Sequence, residues 1–347
     1  MIAAALARDA SVRVDVGARR PGRSSAPESI GRRVVDVADE RAARAALSLY
    51  DLVVIAIGPF ERFGSRAHKL CIEAGVGCID INDSFDVARD VFALSDLAER
   101  NGVLTLTGMG LSPGLTTLLL LDVLEAERPT ASRIRQRLFV GGDQQAGIGA
   151  IRAMLSSFAD RVPEVRDGDC VLVASDDESD ERLYAFGFDQ PPVRVVHYST
   201  PEAWTLPRAR PDLAATVGRF DYRVHFEGMP LPFVSLLRHA KLLRTPAATA
   251  GLSHVVHAVH DLGRRRRTRR VVARVEATAG AGVTLASAEA GSSYEATASF
   301  AAAIGALALN GGLDVSAGVH SLESAMADRR ALRAQLGSRG IDLVTPA

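Results

Sequence analysis

Hydrophobic positions along this chain follow two rhythms, and the change between them at Arg133 organises the reading. Before it, short apolar runs alternate with segments of helical spacing, the sign of an open sheet built from parallel crossovers. Val12, Val14 and Val16 alternate in SVRVDVGARR, which predicts a strand. LVVIAIG after Asp51 is apolar without alternation, as expected of a strand covered on both faces, and it stops at Gly58-Pro59. Ala67, Leu70, Cys71 and Ala74 then stand at helical spacing up to Gly75, and GCIDI follows as a short strand. One helix is expected over Asp86 to Arg100, closed by Asn101-Gly102, and VLTLTG is the next strand. Ser112-Pro113 has the order of a capping residue and a first-turn proline, so it predicts the start of the helix GLTTLLLLDVLEAE.

From Arg133 onward IRQRLFVGG, VRVVHYS and FDYRVHFEG alternate, predicting half-exposed strands of a mostly antiparallel sheet with one wet face. Residues 163 to 182 are acidic and poorly periodic and read as a surface loop or hairpin tip. VVARVEAT and VTLASAE form a hairpin pattern, and SSYEATASFAAAIGALAL a small-residue helix suited to close packing on a sheet or on another subunit. No internal repeat shows at solenoid periods. The expected fold class is α/β. A Rossmann-like doubly wound parallel sheet without its first strand occupies 1–125, a mixed α+β domain 126–315, and a segment returning to the first domain 316–347.

Composition narrows the function classes. Forty-one basic and 41 acidic residues cancel, so no global field draws the chain to nucleic acid or an anionic membrane, and neither is expected as a partner. Cys71, Cys78 and Cys170 form no CxxC pair, which argues against a disulfide framework or a cysteine zinc site and for a reducing compartment. MIAAALARDA lacks a cationic leader, and no apolar stretch is long enough for a membrane span. A soluble, cytoplasmic protein is the expectation.

Candidate chemistry gathers at strand ends. IAAALARD resembles the first helix of a dinucleotide fold and SVRVDVGARRP its second strand, yet no strand and GxGxxG turn stand before Met1. Either Met1 is a misassigned start or the turn that grips pyrophosphate is lost; the sequence leaves both open. Arg19 and Arg20 lie where an acidic residue would accept the ribose 2′-OH of NAD, so NADP is expected over NAD; a solvated turn is the plain alternative. Asp36 reads as an exposed strand-end aspartate near an adenine-side position.

Gly58, Pro59 and Phe60 follow one buried strand, and Gly108 and Gly110 another, at the edge where open α/β sheets bind ligands. These are the expected cofactor-binding positions. Ser112, Pro113 and Gly114 lead into a helix N-terminus and are expected to contact substrate, holding a carboxylate or amide. Gly141-Gly142 and Gly147-Ile148-Gly149 either close over substrate or are ordinary turns. Asp80, Asp83, His197, Tyr198 and Trp204 are possible acid–base groups that read first as structural residues. His254, His257 and His260 stand three apart on a predicted helix, but with no HExxH and no nearby carboxylate except Asp261 no metal is expected, and the run Arg264 to Arg270 reads as a solvated entry to the next strand.

The succession YDLVVIAIGPFERFGSRAHKLCIEAGVGCIDIND and NGVLTLTGMGLSPGLTTLL resembles the saccharopine dehydrogenase-like family, in which strands ending in G-P-F and D-I and a G-x-x-P-G turn occur in that order. The match covers about residues 1 to 125, with looser agreement at GSSYEATA and GVHSLE. The resemblance implies an NADP-binding Rossmann-like domain, a substrate and dimerisation domain, a homodimer, and reduction of an imine, carbonyl or enoyl group of a small metabolite. The competing expectation is a non-catalytic remnant that keeps the shell and holds no dinucleotide.

Overall fold

The computed structural model describes every residue except 10, 24–25, 127–131, 145, 159–160, 176–181, 188–190, 230–235, 237–245, 264–266, 281, 327–328 and 347. The chain forms two compact units. The first gathers Met1–Ile57, Phe63–Leu115 and Tyr294–Ile341, and the second Gly58–Arg62, Thr116–Ser293 and Asp342–Ala347.

The first unit is Rossmann-like α/β. It opens with α1 (Ile2–Leu6), β1 (Asp15–Ala18), β2 (Gly31–Val34) and α2 (Glu40–Leu47), and β1 and β2 pair in parallel as a separate sheet. The strand starts later than the valine alternation predicts because Asp9 first turns the chain, accepting from the Ser11 N–H (3.0 Å) and hydroxyl (2.6 Å). Strands β3 (Leu52–Ile55), β4 (Gly77–Asp80), β5 (Leu104–Leu106) and β15 (Gly318–His320) form an all-parallel sheet in the order β15-β5-β4-β3. Among the described residues no strand joins the two sheets. Their N-terminal ends are instead tied by the Tyr50 hydroxyl, which donates to Asp15 (2.7 Å), and Asp15 also accepts from Arg33 Nε (3.1 Å). The apolar β3 is correspondingly only half-buried at Leu52, Val53 and Val54, whereas Cys78, Ile79 and Asp80 of β4 are fully buried.

After β3 come α3 (Phe60–Phe63) and α4 (Arg66–Glu73), and after β4 come α5 (Phe85–Phe92) and α6 (Ser95–Arg100). The single helix expected over Asp86 to Arg100 is therefore two. The Leu94 N–H bonds back to Val91 O, tightening the turn, and Ser95 is drawn to β15, where its hydroxyl accepts from the Val319 N–H at 3.2 Å.

The second unit is a mixed sheet. In chain order its strands are β6 (Arg133–Val140), β7 (Arg161–Arg166), β8 (Asp169–Ala174), β9 (Leu183–Tyr184), β10 (Val193–Arg194), β11 (Val196–His197), β12 (Arg219–Phe226), β13 (Val271–Ala279), β14 (Gly282–Ala290) and β16 (Asp342–Val344). The main sheet runs β16-β14-β13-β6-β12-β7-β8, with β11 beside β12. All its pairs are antiparallel except β6 with β12. One expectation is narrowed here and one corrected. Of the two readings of residues 163 to 182, surface loop or hairpin tip, 163 to 174 take the hairpin, two paired strands turning at Asp167-Gly168, while 176–181 lie outside the described residues.

The polar alternation also does not mark a wet face, because its charges are paired and covered. Arg137, fully buried on β6, meets Asp221 at 2.9 Å, and Arg223 Nε meets the same carboxylate at 3.2 Å. Burial alone would push the Asp221 carboxyl up, but Arg137, Arg223 and Arg133 outweigh it and hold it below the usual range. Alongside, Phe139, Tyr184, Phe186, Val195 and Val272 pack together as an apolar cluster. The small-residue helix α12 (Ser293–Leu309; α8 to α11 are Ile148–Ser156, Glu202–Ala209, Pro211–Ala214 and Pro246–Gly263) packs on the parallel sheet, where a Cβ on Gly305 would lie 3.3 Å from Leu6 and 3.8 Å from Leu52. No helix among the described residues is long and apolar enough to cross a membrane.

Candidate functional site

Parallel strands put all their carboxyl ends on one edge, so the segments after β3, β4, β5 and β15 share a rim. The best-defined of these is Thr107–Gly114. Its backbone is fastened at 2.9 Å from the Thr107 N–H to His320 O, at 2.8 Å from the Met109 N–H to Asp80 O, and at 3.0 Å from the Gly110 N–H to Pro113 O. The glycines are required by crowding. Gly114 has φ +115, and a Cβ there would sit 2.4 Å from Gly110 O and 2.7 Å from Gly110 N. Gly108 has φ +77 and faces Pro113 Cγ at 2.5 Å from such a Cβ. The Ser112–Pro113 peptide is cis and the helix α7 (Leu115–Ala126) begins two residues after Pro113, which corrects the reading of Ser112 as cap and Pro113 as first-turn residue.

Asp80, at the end of β4, holds this turn from below. Its Oδ1 accepts from the Gly108 N–H (2.7 Å) and the Asn82 N–H (2.8 Å), and its Oδ2 accepts from His68 Nε2 (2.7 Å) on α4. His68 and Asp80 are both completely buried. Burial disfavours the His68 cation, yet the hydrogen bond to Asp80 and its charge prevail, so the imidazole titrates above its ordinary range. Asp80 is thus a structural carboxylate. His68 escaped the sequence reading because its partner is twelve residues away on another element and the turn it supports is farther still.

Three hydroxyls at this rim are shut off from solvent without a hydrogen-bond partner: Thr107 Oγ1, Ser112 Oγ and Ser321 Oγ. On the second unit, Thr116, Thr117 and Gln136 donate to the buried Glu202 (2.5, 3.3 and 3.1 Å), anchoring the first turn of α7.

The remaining sequence candidates scatter. Arg19 and Arg20 are exposed immediately after β1. Gly58 and Pro59 share a cis peptide and group with the second unit, where a Cβ on Gly149 would lie 4.0 Å from Pro59; Phe60 is buried at the start of α3. Gly141 and Gly142 are not a lid: a Cβ on either would strike Thr268 O (2.2 Å) or the Arg267 side chain (2.2 Å). His197 is buried and donates from Nδ1 to Ser175 O (3.2 Å); burial, then Arg223, pushes its pKa down. Tyr198 packs edge-on against Phe158 and Tyr222, and Arg208 stacks over Trp204 at 4.5 Å. Asp36 accepts from the Ala38 N–H in a turn, and Asp83 is half-buried. His254 and His257 lie on α11, while the His260 side chain and residues 264–266 fall outside the described parts. Among the described residues no group of three or more His, Cys, Asp or Glu could hold a metal ion.

No family model and no curated protein matches this sequence. Among solved structures, apo saccharopine dehydrogenase (L-Glu forming) from Saccharomyces cerevisiae overlays at TM-score 0.63 and 13% identity, covering 99% of this chain and 97% of that one. An engineered D-amino acid dehydrogenase bound to NADP+ overlaps at TM-score 0.47 and 14% identity, over 96% and 92% of the two chains. DAP dehydrogenase of C. glutamicum in complex with DAP does so at 0.45 and 13%, over 96% and 92%. Strand order, parallel pairing and the near-complete overlay with the yeast structure agree: this chain has the fold of saccharopine dehydrogenase, a Rossmann-like unit with a mixed-sheet unit.

Proposed function

We propose that this chain is an NADP-dependent oxidoreductase that reduces an imine, carbonyl or enoyl group of a small metabolite, working as a homodimer. The observation that carries the reading is the glycine turn Thr107–Gly114, built at the carboxyl rim of a parallel sheet in a chain that overlays along its length with a dehydrogenase.

The residues fit a dinucleotide at two places. Arg19 and Arg20 are exposed after β1, suited to a 2′-phosphate, and Gly58 is exposed with nothing within 4 Å of where a Cβ would stand, so its backbone is open to approach. When bound, the cofactor supplies the hydride. The chain's residues hold and orient: in the first unit Arg19 and Arg20 at the phosphate, the Gly108 and Gly110 backbone along the rim, and Ser112, Pro113 and Gly114 toward substrate; Gly58 to Phe60, which group with the second unit, are also proposed for the cofactor.

Arg19→Glu together with Arg20→Glu tests the cofactor end. We expect NADPH binding to weaken roughly 100-fold, about 3 kcal/mol from two charge-assisted contacts, while NADH binding changes less than about threefold. Equal losses for both cofactors, or no loss, would remove the arginines from the site.

A second reading, a shell that holds no dinucleotide, draws support from one observation. Among the described residues, no strand with a glycine turn lies between β1 and β3 to grip pyrophosphate. Absence of NADPH and NADH binding alike would favour it.

A further inference from the structure

Two neighbouring strands near the middle of the second unit's main sheet carry charge mostly of one sign on one face. Residues in register on adjacent strands point the same way, and every second residue along a strand shares that face. On β6 and β12 this face holds Arg133, Arg135, Arg137, Arg219 and Arg223 with the single carboxylate of Asp221. Asp221 is shared by Arg133 (3.5 Å), Arg137 (2.9 Å) and Arg223 (3.2 Å). Glu164 of β7 is shared likewise by Arg219 (3.1 Å), Arg166 (3.2 Å) and His197 (3.4 Å). Both carboxylates are buried, so they hold the guanidiniums from beneath.

At one end of this face three arginines stand in a single row. Arg219 is in register with Arg133 on one side and with Arg166 on the other, about 5 Å from each. Arg137 is fully buried, but the side chains of the row reach solvent, 20% exposed at Arg133, 19% at Arg219 and 40% at Arg166. Thr278 of β13 extends the row beside Arg133, and its hydroxyl has no hydrogen-bond partner among the described residues. Like charges set directly opposite one another destabilise a sheet. Further in, burial and the neighbouring Arg223 depress the Arg137 pKa despite Asp221. We infer that Arg133, Arg219 and Arg166 form a binding site for a phosphate group, free or esterified on a small soluble ligand, with the Thr278 hydroxyl as a further donor. Each guanidinium fork presents parallel N–H donors that match phosphate oxygens, and a dianion offsets the charge of the row better than one carboxylate does. The site lies wholly on the second unit and does not depend on the dinucleotide reading, whose Arg19 and Arg20 belong to the first.

The full chain is titrated with inorganic phosphate, glycerol 3-phosphate and acetate at constant ionic strength, with thermal unfolding as the readout. We expect phosphate to raise the Tm saturably and acetate to leave it unchanged. A matching rise with glycerol 3-phosphate would show that the site admits an esterified group, and no rise with it that the site takes the free ion. Arg133→Gln combined with Arg166→Gln should weaken phosphate binding roughly tenfold or more. The fold should persist in that variant, since Asp221 keeps Arg137 and Arg223, and Glu164 keeps Arg219 and His197. Arg19→Glu with Arg20→Glu should bind phosphate as the parent does. In the parent, phosphate should also slow the modification of Arg133 and Arg166 by phenylglyoxal, followed by peptide mass, and this readout decides alone if the sheet variant fails to fold. A Tm rise no greater than with acetate, or an affinity untouched by the sheet variant, would overturn the inference and leave an adventitious ion only. Loss of binding in the Arg19 and Arg20 variant instead, or no protection of Arg133 and Arg166, would overturn it equally.

Discussion

Asp80→Ala is expected to lower the unfolding free energy by about 3 to 5 kcal/mol, the range for breaking a buried ion pair from one side, as read by urea denaturation. The substitution strands three donors at once: His68 Nε2, the Asn82 N–H and the Gly108 N–H. Each would be left buried without its acceptor, and the Gly108 turn would lose its floor. The partner variant His68→Gln should be milder and reveal a pH dependence. Because the folded-state pKa of His68 is raised, its contribution is fully present below the unfolded value near 6.5 and disappears as pH rises through the folded value. The stability difference between parent and His68→Gln should therefore shrink as pH climbs above about 6.5. A difference that is constant from pH 6 to 9, or grows with pH, would show that His68 is neutral in the folded chain.

The second large effect belongs to Gly114→Ala. A side chain at φ +115 is strained, and its Cβ would lie 2.4, 2.7 and 3.0 Å from the backbone atoms Gly110 O, Gly110 N and Gly108 O. Backbone atoms of a fastened turn cannot step aside as a flexible side chain can. The expected cost is on the order of 3 kcal/mol or more, with ligand binding at the turn lost in any fraction that stays folded. Gly251→Ala is the internal comparison: Gly251 lies exposed in α11 with open space around it, so alanine there should stabilise by about 0.5 to 1 kcal/mol. Similar losses at both positions would mean that the crowding at Gly114 is not what fixes the turn.

The sequence made some elements plain because local pattern and tertiary role coincide in them. LVVIAIG and GCIDI sit in the parallel sheet, the pair VVARVEAT and VTLASAE is the β13–β14 hairpin, and the alanine-rich stretch is α12. Where charge is buried, the pattern misleads. Glu164 and Arg166 look like loop residues, but Glu164 is enclosed by Arg219 (3.1 Å) and His197 (3.4 Å), contacts made by other strands far along the chain. Arg137 and Arg223 appear to mark a wet face for the same reason. The Ser112-Pro113 pair shows a different limit, since its letters fit a helix cap equally well as the cis turn that stands there. At the rim, the glycines of the turn were visible as a motif. The supports were not, because His68, Asp80 and Gly108 meet only through three separate elements, and the carbonyl of His320 that fastens the Thr107 N–H lies on a strand that returns more than two hundred residues later.

The central claim is that the rim of the first unit holds a nicotinamide dinucleotide, and fluorescence titration of the intact chain with NADPH and NADH tests it most directly. The account predicts saturable binding with NADPH at least tenfold tighter than NADH, the difference of about 1.4 kcal/mol that contact with a 2′-phosphate should supply. Titrations flat for both cofactors would contradict it and leave this chain the fold of a dehydrogenase without the cofactor.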